Sequence, residues 1–314
     1  MDATDSSTSL SFEVAAFNAS IIVGPVVLGT LVDTCLFGCL VIQTYVYFAN
    51  FANDHRAIKF TVAAVFAIQI AHVMCVSATL WNTAVVAYDD PSKLQILPLS
   101  AAATILFTGI TGGLVESYFA FRLWKLSKRH FLPTVSLVLC VIAQVVSLVI
   151  TVQAFKTSSI AVFEIDQNTS ITLALTSRVL CDVILTISMA WYLKKQRSEY
   201  SRTTSMIDRL VLWTIETGLI TSLVAVLVII FFLAMKENYI WVGLYAILAS
   251  VNGNSLLALL NGRLIFRSVT SENLRMGTLS GSGGGHNKQH PFVINVTQTV
   301  RSPLEVFKRD EMEV

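Results

Sequence analysis

Ile207-Asp-Arg-Leu-Val-Leu-Trp-Thr-Ile-Glu-Thr-Gly-Leu-Ile-Thr-Ser-Leu-Val-Ala-Val-Leu-Val-Ile-Ile-Phe-Phe-Leu-Ala-Met235 opens on the charged pair Asp208 and Arg209 and then stays apolar for a full membrane span. A run of that length crosses the roughly 30 Å hydrocarbon core of a bilayer as a helix. Within it stands Glu216, seven residues beyond Arg209 and therefore roughly 10 Å into the span at the helical rise per residue. A carboxyl at that depth is costly unless it is paired, protonated or wetted.

The rest of the chain follows the same grammar. Of its 314 residues 54% are hydrophobic and only 13% charged, against roughly 25% charged in soluble domains. Apolar runs at 20–48, 57–81, 99–124, 133–154, 170–193, 209–235 and 239–265 are each long enough to span. The fold expected is all-α, a polytopic bundle of seven transmembrane helices in a lipid bilayer. Residues 1–19 form an N-terminal tail, 20–267 the bundle, and 268–314 a flexible C-terminal tail that includes the linker-like Ser280-Gly-Ser-Gly-Gly-Gly285. Residues 1–19 contain no Lys or Arg and so lack the basic region of a cleavable signal peptide. Cys35, Cys39, Cys75, Cys140 and Cys181 all fall within predicted spans, which implies no extracellular disulfide framework.

Basic residues set the expected orientation. One set of loops and the C-terminal tail carries Arg56, Lys59, Arg122, Lys125, Lys128, Arg129, Lys194, Lys195, Arg197, Arg202, Arg263 and Arg267 among others, while the opposite loops hold only Lys93, Lys156 and Lys236. The N-terminus is therefore expected outside and the C-terminus in the cytosol, in the plasma membrane. The sequons at Asn18 and Asn168 then fall on the outer side, where glycosylation is chemically open to them; that at Asn295 falls in the cytosolic tail and should be silent.

Polar residues inside the spans are the candidate functional groups. Arg178 and Asp182 stand four apart in the fifth span, on one helical face where they can pair. They read as a ligand or proton site, beside the plainer reading of a structural pair. Glu116 in the third span and Glu216 in the sixth lie at similar depth and are expected to form a coupled inner lock, with separate satisfaction by Ser117, Thr214 or Thr217 as the alternative. Asn254 and Asn261 of the last span read chiefly as hydrogen-bonding glue between helices. His72, Asp33, Gln43, Gln69 and Gln144 read as isolated packing groups. Gly24-Pro25, Gly29 and Gly38 suggest a tight helix contact in the first span.

Several chemistries are argued against. The last span has no lysine for a retinal Schiff base. His72 is the only histidine within a predicted span and there is no His-Glu-x-x-His, so no metal site is expected. Gly253-Asn-Ser-Leu256 is not a nucleophile elbow, and the glycine cluster of the tail lacks the Lys-Ser/Thr of a phosphate loop. An enzyme, a bound cofactor and a nucleic-acid partner are therefore not expected. The third span ends Phe121-Arg-Leu-Trp-Lys125 and the seventh has no proline, so the signatures of rhodopsin-like receptors are absent and only topology is shared.

Four stretches in order carry a resemblance: Gly24-Pro-Val-Val-Leu-Gly29 with Phe37-Gly38 and Gln43-Thr-Tyr45; Tyr118-Phe-Ala-Phe-Arg-Leu-Trp-Lys-Leu-Ser127; Trp213-Thr-Ile-Glu-Thr-Gly218; and Asn254-Ser-Leu-Leu-Ala-Leu-Leu-Asn261-Gly-Arg263. Over residues 20–267 the chain resembles a large seven-span family of mushroom-type fungi, filed as a domain of unknown function. The resemblance implies fold and membrane location, not an activity. The chain departs from it at Leu97-Pro-Leu-Ser100, where many members have a Trp before the serine. It departs again at Ser250 and Asn252, where many carry a Lys and a Tyr. The functional expectation is a receptor or sensor that takes a small-molecule ligand from the outer half and contacts a cytosolic protein through its basic loops and tail. A small-solute or proton-coupled transporter is the alternative, and an intramembrane enzyme comes third.

Overall fold

The computed structural model describes residues 19–88, 91–127, 130–197, 204–235 and 238–280. The expected tails before residue 19 and after residue 280, with the sequons at Asn18 and Asn295, lie outside them. The chain runs through α1 (Ala19–Asn50), α2 (Arg56–Trp81), α3 (Leu99–Ser127), α4 (Phe131–Lys156), α5 (Ile160–Arg197), α6 (Thr204–Ala234) and α7 (Ile240–Ser280). All seven are long and apolar enough to cross a membrane. Among the described residues there is no β-strand; Ile96 and Ser159 form one isolated antiparallel bridge between loops. Two short helical turns, Asn82–Val86 and Pro91–Gln95, bridge α2 to α3.

Local chemistry places the helix ends. The His55 ring nitrogen accepts from the Ala57 amide at 3.2 Å and starts α2. Pro98 precedes the first residue of α3, and Pro133 sits in the first turn of α4, where a missing N–H removes no helical hydrogen bond.

Each apolar helix sorts into a lipid side and a bundle side. Leu28, Ile42, Phe60, Met74, Leu180, Leu219 and Ile230 remain exposed along the periphery, as a bilayer solvent allows. Of the spanning stretch of α7 61% is buried, and of α3 50%, against 22% for α6. Thus α3 and α7 are the central helices and α6 is peripheral. Small residues let the central pair in. A β-carbon on Gly29 of α1 would lie 2.5 Å from the Gly243 carbonyl oxygen of α7, so these parallel helices cross backbone to backbone, whereas Gly24 and Gly38 face open space. Asn254 donates to the Leu36 carbonyl at 2.9 Å and Asn261 to the Gln43 carbonyl at 2.8 Å, extending the same α1–α7 contact at seven-residue intervals along α1.

Three apolar clusters fill the interior. One gathers Ala102, Ile150, Phe163, Phe232 and Leu248. A second joins Leu40, Tyr47, Val62, Val65, Leu256 and Leu257, and a third joins Leu123, Cys140, Cys181, Leu185 and Met189. Two helices exceed their expected spans by the most. α5 starts at Ile160 rather than near 170, because buried Phe163 anchors a turn whose polar neighbours Glu164, Asp166, Gln167 and Asn168 interrupt the apolar run in sequence. Asn168 therefore stands inside a helix with its side-chain oxygen buried, not in a loop. α7 continues to Ser280, past the expected end of the bundle at 267.

Candidate functional site

Lys93 and Arg263 mark the two ends of the bundle. At the Lys93 end a cavity of about 730 Å³ opens between α1, α2, α3, α5 and α7. Its walls are mostly apolar, including Val26, Val76, Leu97, Ile105, Phe163 and Trp241. Polar groups form a sparse collar that includes Lys93, Asn82, Thr79, Ser100, Thr104 and Tyr239, with the Thr79 hydroxyl donating to Ser100 at 2.9 Å. An apolar chamber with a few convergent polar groups is the usual form of a small-molecule site. Tyr239 lies just outside the α7 span, and burial, with the Glu164 carboxylate nearby, pushes its phenol up to about 12.

Ile105, Phe163, Trp241 and Tyr245 line both this cavity and a smaller space of about 50 Å³ beneath it, which also touches Thr108 and Arg178. These four side chains are the partition between chamber and bundle interior.

Two buried polar systems meet at that partition. In the first, the Thr108 hydroxyl lies 3.2 Å from His72 Nε2, and His72 Nδ1 lies 3.6 Å from Asp33 Oδ2. Ser250 donates to Asp33 Oδ1 at 2.5 Å and accepts from Gln69 Nε2. Asp33, Gln69, His72 and Ser250 are all fully buried. Four helices, α1, α2, α3 and α7, are thereby joined by one network. Asp33, Gln69 and His72 are not isolated groups, as their sequence positions suggested: residues far apart in the chain converge only because α7 packs against both α1 and α2.

In the second system Arg178 Nη1 of α5 stands 3.3 Å from Glu116 Oε1 of α3, with both side chains almost wholly buried. Cys140 of α4 lies against the Glu116 carboxyl. The guanidinium fits because residue 112 is glycine; a β-carbon there would overlap Arg178 Nη1. Tyr245 is within hydrogen-bonding reach of Thr108 and faces Arg178, so it touches both systems and the chamber.

The expected pairings change accordingly. Arg178 takes Glu116 as its close partner, and Asp182, one helical turn on, interacts with it electrostatically while reaching Thr221 of α6. The expected lock between Glu116 and Glu216 is not formed: Glu216 is exposed on the outer side of α6 while Glu116 is buried on α3. The reason is rotational. Gly218 of α6 packs against Thr186 of α5, which turns the neighbouring Glu216 outward. Asn254 and Asn261 tie α7 to α1 through backbone carbonyls and line none of the three cavities.

A lock does exist at the Arg263 end, from residues that carry no intramembrane signal. Arg263 grips Asp54 of the α1–α2 loop in a two-pronged ion pair, at 2.6 Å and 3.3 Å, and stacks over the Phe51 ring at 4.2 Å. Tyr47 donates to the same carboxylate at 3.1 Å.

Residues 178–264 match a family described as a family of unknown function, DUF6534. The matched stretch begins at the ion-pair arginine, takes in α6, and ends in α7 just past Arg263; it includes the quoted Trp213–Gly218 and Asn254–Arg263 stretches but not those of α1 and α3. No curated protein and no solved structure matches the chain.

Proposed function

We propose that this multi-pass membrane protein is a receptor or sensor whose ligand is a small, largely apolar molecule held in the Lys93-end chamber. The carrying observation is that the chamber's floor is also the partition touching both buried polar systems. A ligand that displaces Tyr245 changes the setting of Thr108, and with it the His72–Asp33–Ser250 network, and changes the surroundings of the Arg178–Glu116 pair. Two packings with different ligand affinity are all that such a switch requires. The basic-residue asymmetry supports an N-terminus outside, which opens the chamber to the exterior and puts the Asp54–Arg263 lock on the cytosolic side, beside the loops that a cytosolic protein would contact. A transporter using the same chamber remains the second reading, since the lock also closes the Arg263 end of any path through α1, α2 and α7.

Cys75 lines the chamber and is a native reporter of its occupancy. In a Cys35→Ser/Cys39→Ser background, N-ethylmaleimide labelling of Cys75 is followed by mass spectrometry in the presence of straight-chain alcohols and their acetate esters. At least one probe should slow Cys75 labelling several-fold, and Ala103→Phe, which fills the chamber wall, should abolish the protection. Absence of protection by every probe, or protection unchanged in Ala103→Phe, refutes the ligand chamber. Uptake of a protecting probe by proteoliposomes against a gradient would replace sensing with transport.

A further inference from the structure

Between α5, α6 and α7, away from the Lys93-end chamber, lies a space of about 20 Å³ lined by Asp182, Thr186, Thr214, Thr217, Thr221, Asn252 and Ser255 together with apolar neighbours. It is just large enough for one water-sized occupant. Asn252 is 5% exposed and Ser255 7% exposed, yet neither side chain has a hydrogen-bonding or ionic partner among the described residues. A buried amide or hydroxyl left unsatisfied is destabilising by more than an ordinary hydrogen bond is worth, so two of them facing one small space ask for an occupant that both can bind.

The charges say what it is. Arg178 takes Glu116 as its close partner at 3.3 Å, so the group of two acids and one base carries one acid in excess, and Asp182 is the acid without a close ion pair of its own. At this depth a carboxyl stays ionised only with a counter-charge beside it, and otherwise holds its proton. The other groups around the space are hydroxyl and amide oxygens: Thr221 Oγ1 reaches both the Gly218 carbonyl, at 3.1 Å, and the Asp182 carboxylate. Asn252 adds an amide oxygen and Ser255 another hydroxyl. All-oxygen donors suit a hard cation, and no group of three or more His, Cys, Asp or Glu among the described residues offers a softer site. One unit of negative charge and room for one water-sized body select a monovalent ion.

The geometry points to a sodium-ion site at Asp182, Asn252, Ser255 and Thr221 that pins α5, α6 and α7 together. It does not depend on the chamber's role, because it shares no lining residue with the chamber.

The test is the thermal stability of the full-length protein in nanodiscs with sodium, potassium or choline chloride at equal ionic strength. Sodium at ten times its half-saturating concentration should raise the melting temperature by about 4 °C over choline, with potassium well below it. Asp182→Asn should lose the sodium step, and Glu216→Gln, on the outer side of α6, should keep it. Should Asp182→Asn fail to fold, Ser255→Ala and Asn252→Ala provide the decision through binding of radioactive sodium: each should raise the half-saturating concentration about 5-fold. Equal melting in all three salts assigns the space to a water and overturns the site. So does a sodium step retained in Asp182→Asn, or unchanged sodium binding in both of the other variants.

Discussion

Replacing Gly112 with alanine isolates the buried ion pair without touching either charge. The β-carbon would overlap the Arg178 guanidinium, whose partner Glu116 is 3.3 Å away and 3% exposed. The guanidinium is the far end of a long side chain, so it moves rather than α3, and it moves off Glu116. Overpacking of this kind costs about 1–3 kcal/mol. Stranding a buried charge costs up to about 3–5 kcal/mol, less here because Asp182, four residues along α5, can receive the displaced arginine in part. Alanine returns about 1 kcal/mol of helix propensity over glycine. The net expectation is about 3 kcal/mol of destabilisation, a fall of roughly 6–12 °C in melting temperature for a domain of this size. Gly24→Ala, where nothing lies within 4 Å, is the matched control and should melt at or slightly above wild type. In an Arg178→Ala/Glu116→Ala background the penalty of Gly112→Ala should vanish, because no guanidinium remains to be displaced. Differential scanning fluorimetry on purified protein reads all of these. A Gly112→Ala protein melting within about 1 °C of wild type, or a penalty undiminished in the double-alanine background, would refute the assignment of this glycine to the arginine's packing.

Ser250→Ala removes a hydroxyl that both accepts from Gln69 and donates to Asp33 at full burial; the expected loss is about 2 kcal/mol, or roughly 4–8 °C in the same assay. Asp54→Asn breaks the two-pronged contact with Arg263, but that arginine is 37% exposed, so screening limits the loss to about 1 kcal/mol, and the difference from wild type should shrink in high salt. Near-ultraviolet absorbance of wild type against Tyr239→Phe should show this phenol ionising around pH 12 rather than near 10. Because the folded protein then holds that proton more tightly than the unfolded chain, the associated stability is complete below about pH 10 and is lost as pH rises toward 12; a phenol ionising at its ordinary value would contradict the burial of Tyr239 against Glu164.

Hydropathy and the distribution of charge determined the class of this protein. Seven long apolar runs with most charges gathered at their ends leave one solution, because a backbone in hydrocarbon must satisfy its own hydrogen bonds. The intramembrane groups that matter were also visible one by one: Glu116, Arg178, Asp182, His72, Asp33 and Gln69 announce themselves by being polar where polarity is costly. Their partners were not. Arg178 and Asp182 are neighbours on one helix, and sequence spacing pairs them; the fold gives Arg178 to Glu116 across the bundle, since Gly112 leaves a socket that only the rotation of α3 against α5 reveals. Glu216 and Glu116 share a depth, yet depth says nothing about azimuth, and the Gly218–Thr186 contact turns Glu216 outward. Thr108 and Tyr245 carry no signal in sequence, because hydroxyls are unremarkable in a span until something buried faces them. Local chemistry fixed which segments become helices and that they sit in a bilayer; how each helix is rotated about its own axis, and so which buried charge meets which, was decided by side-chain packing among all seven.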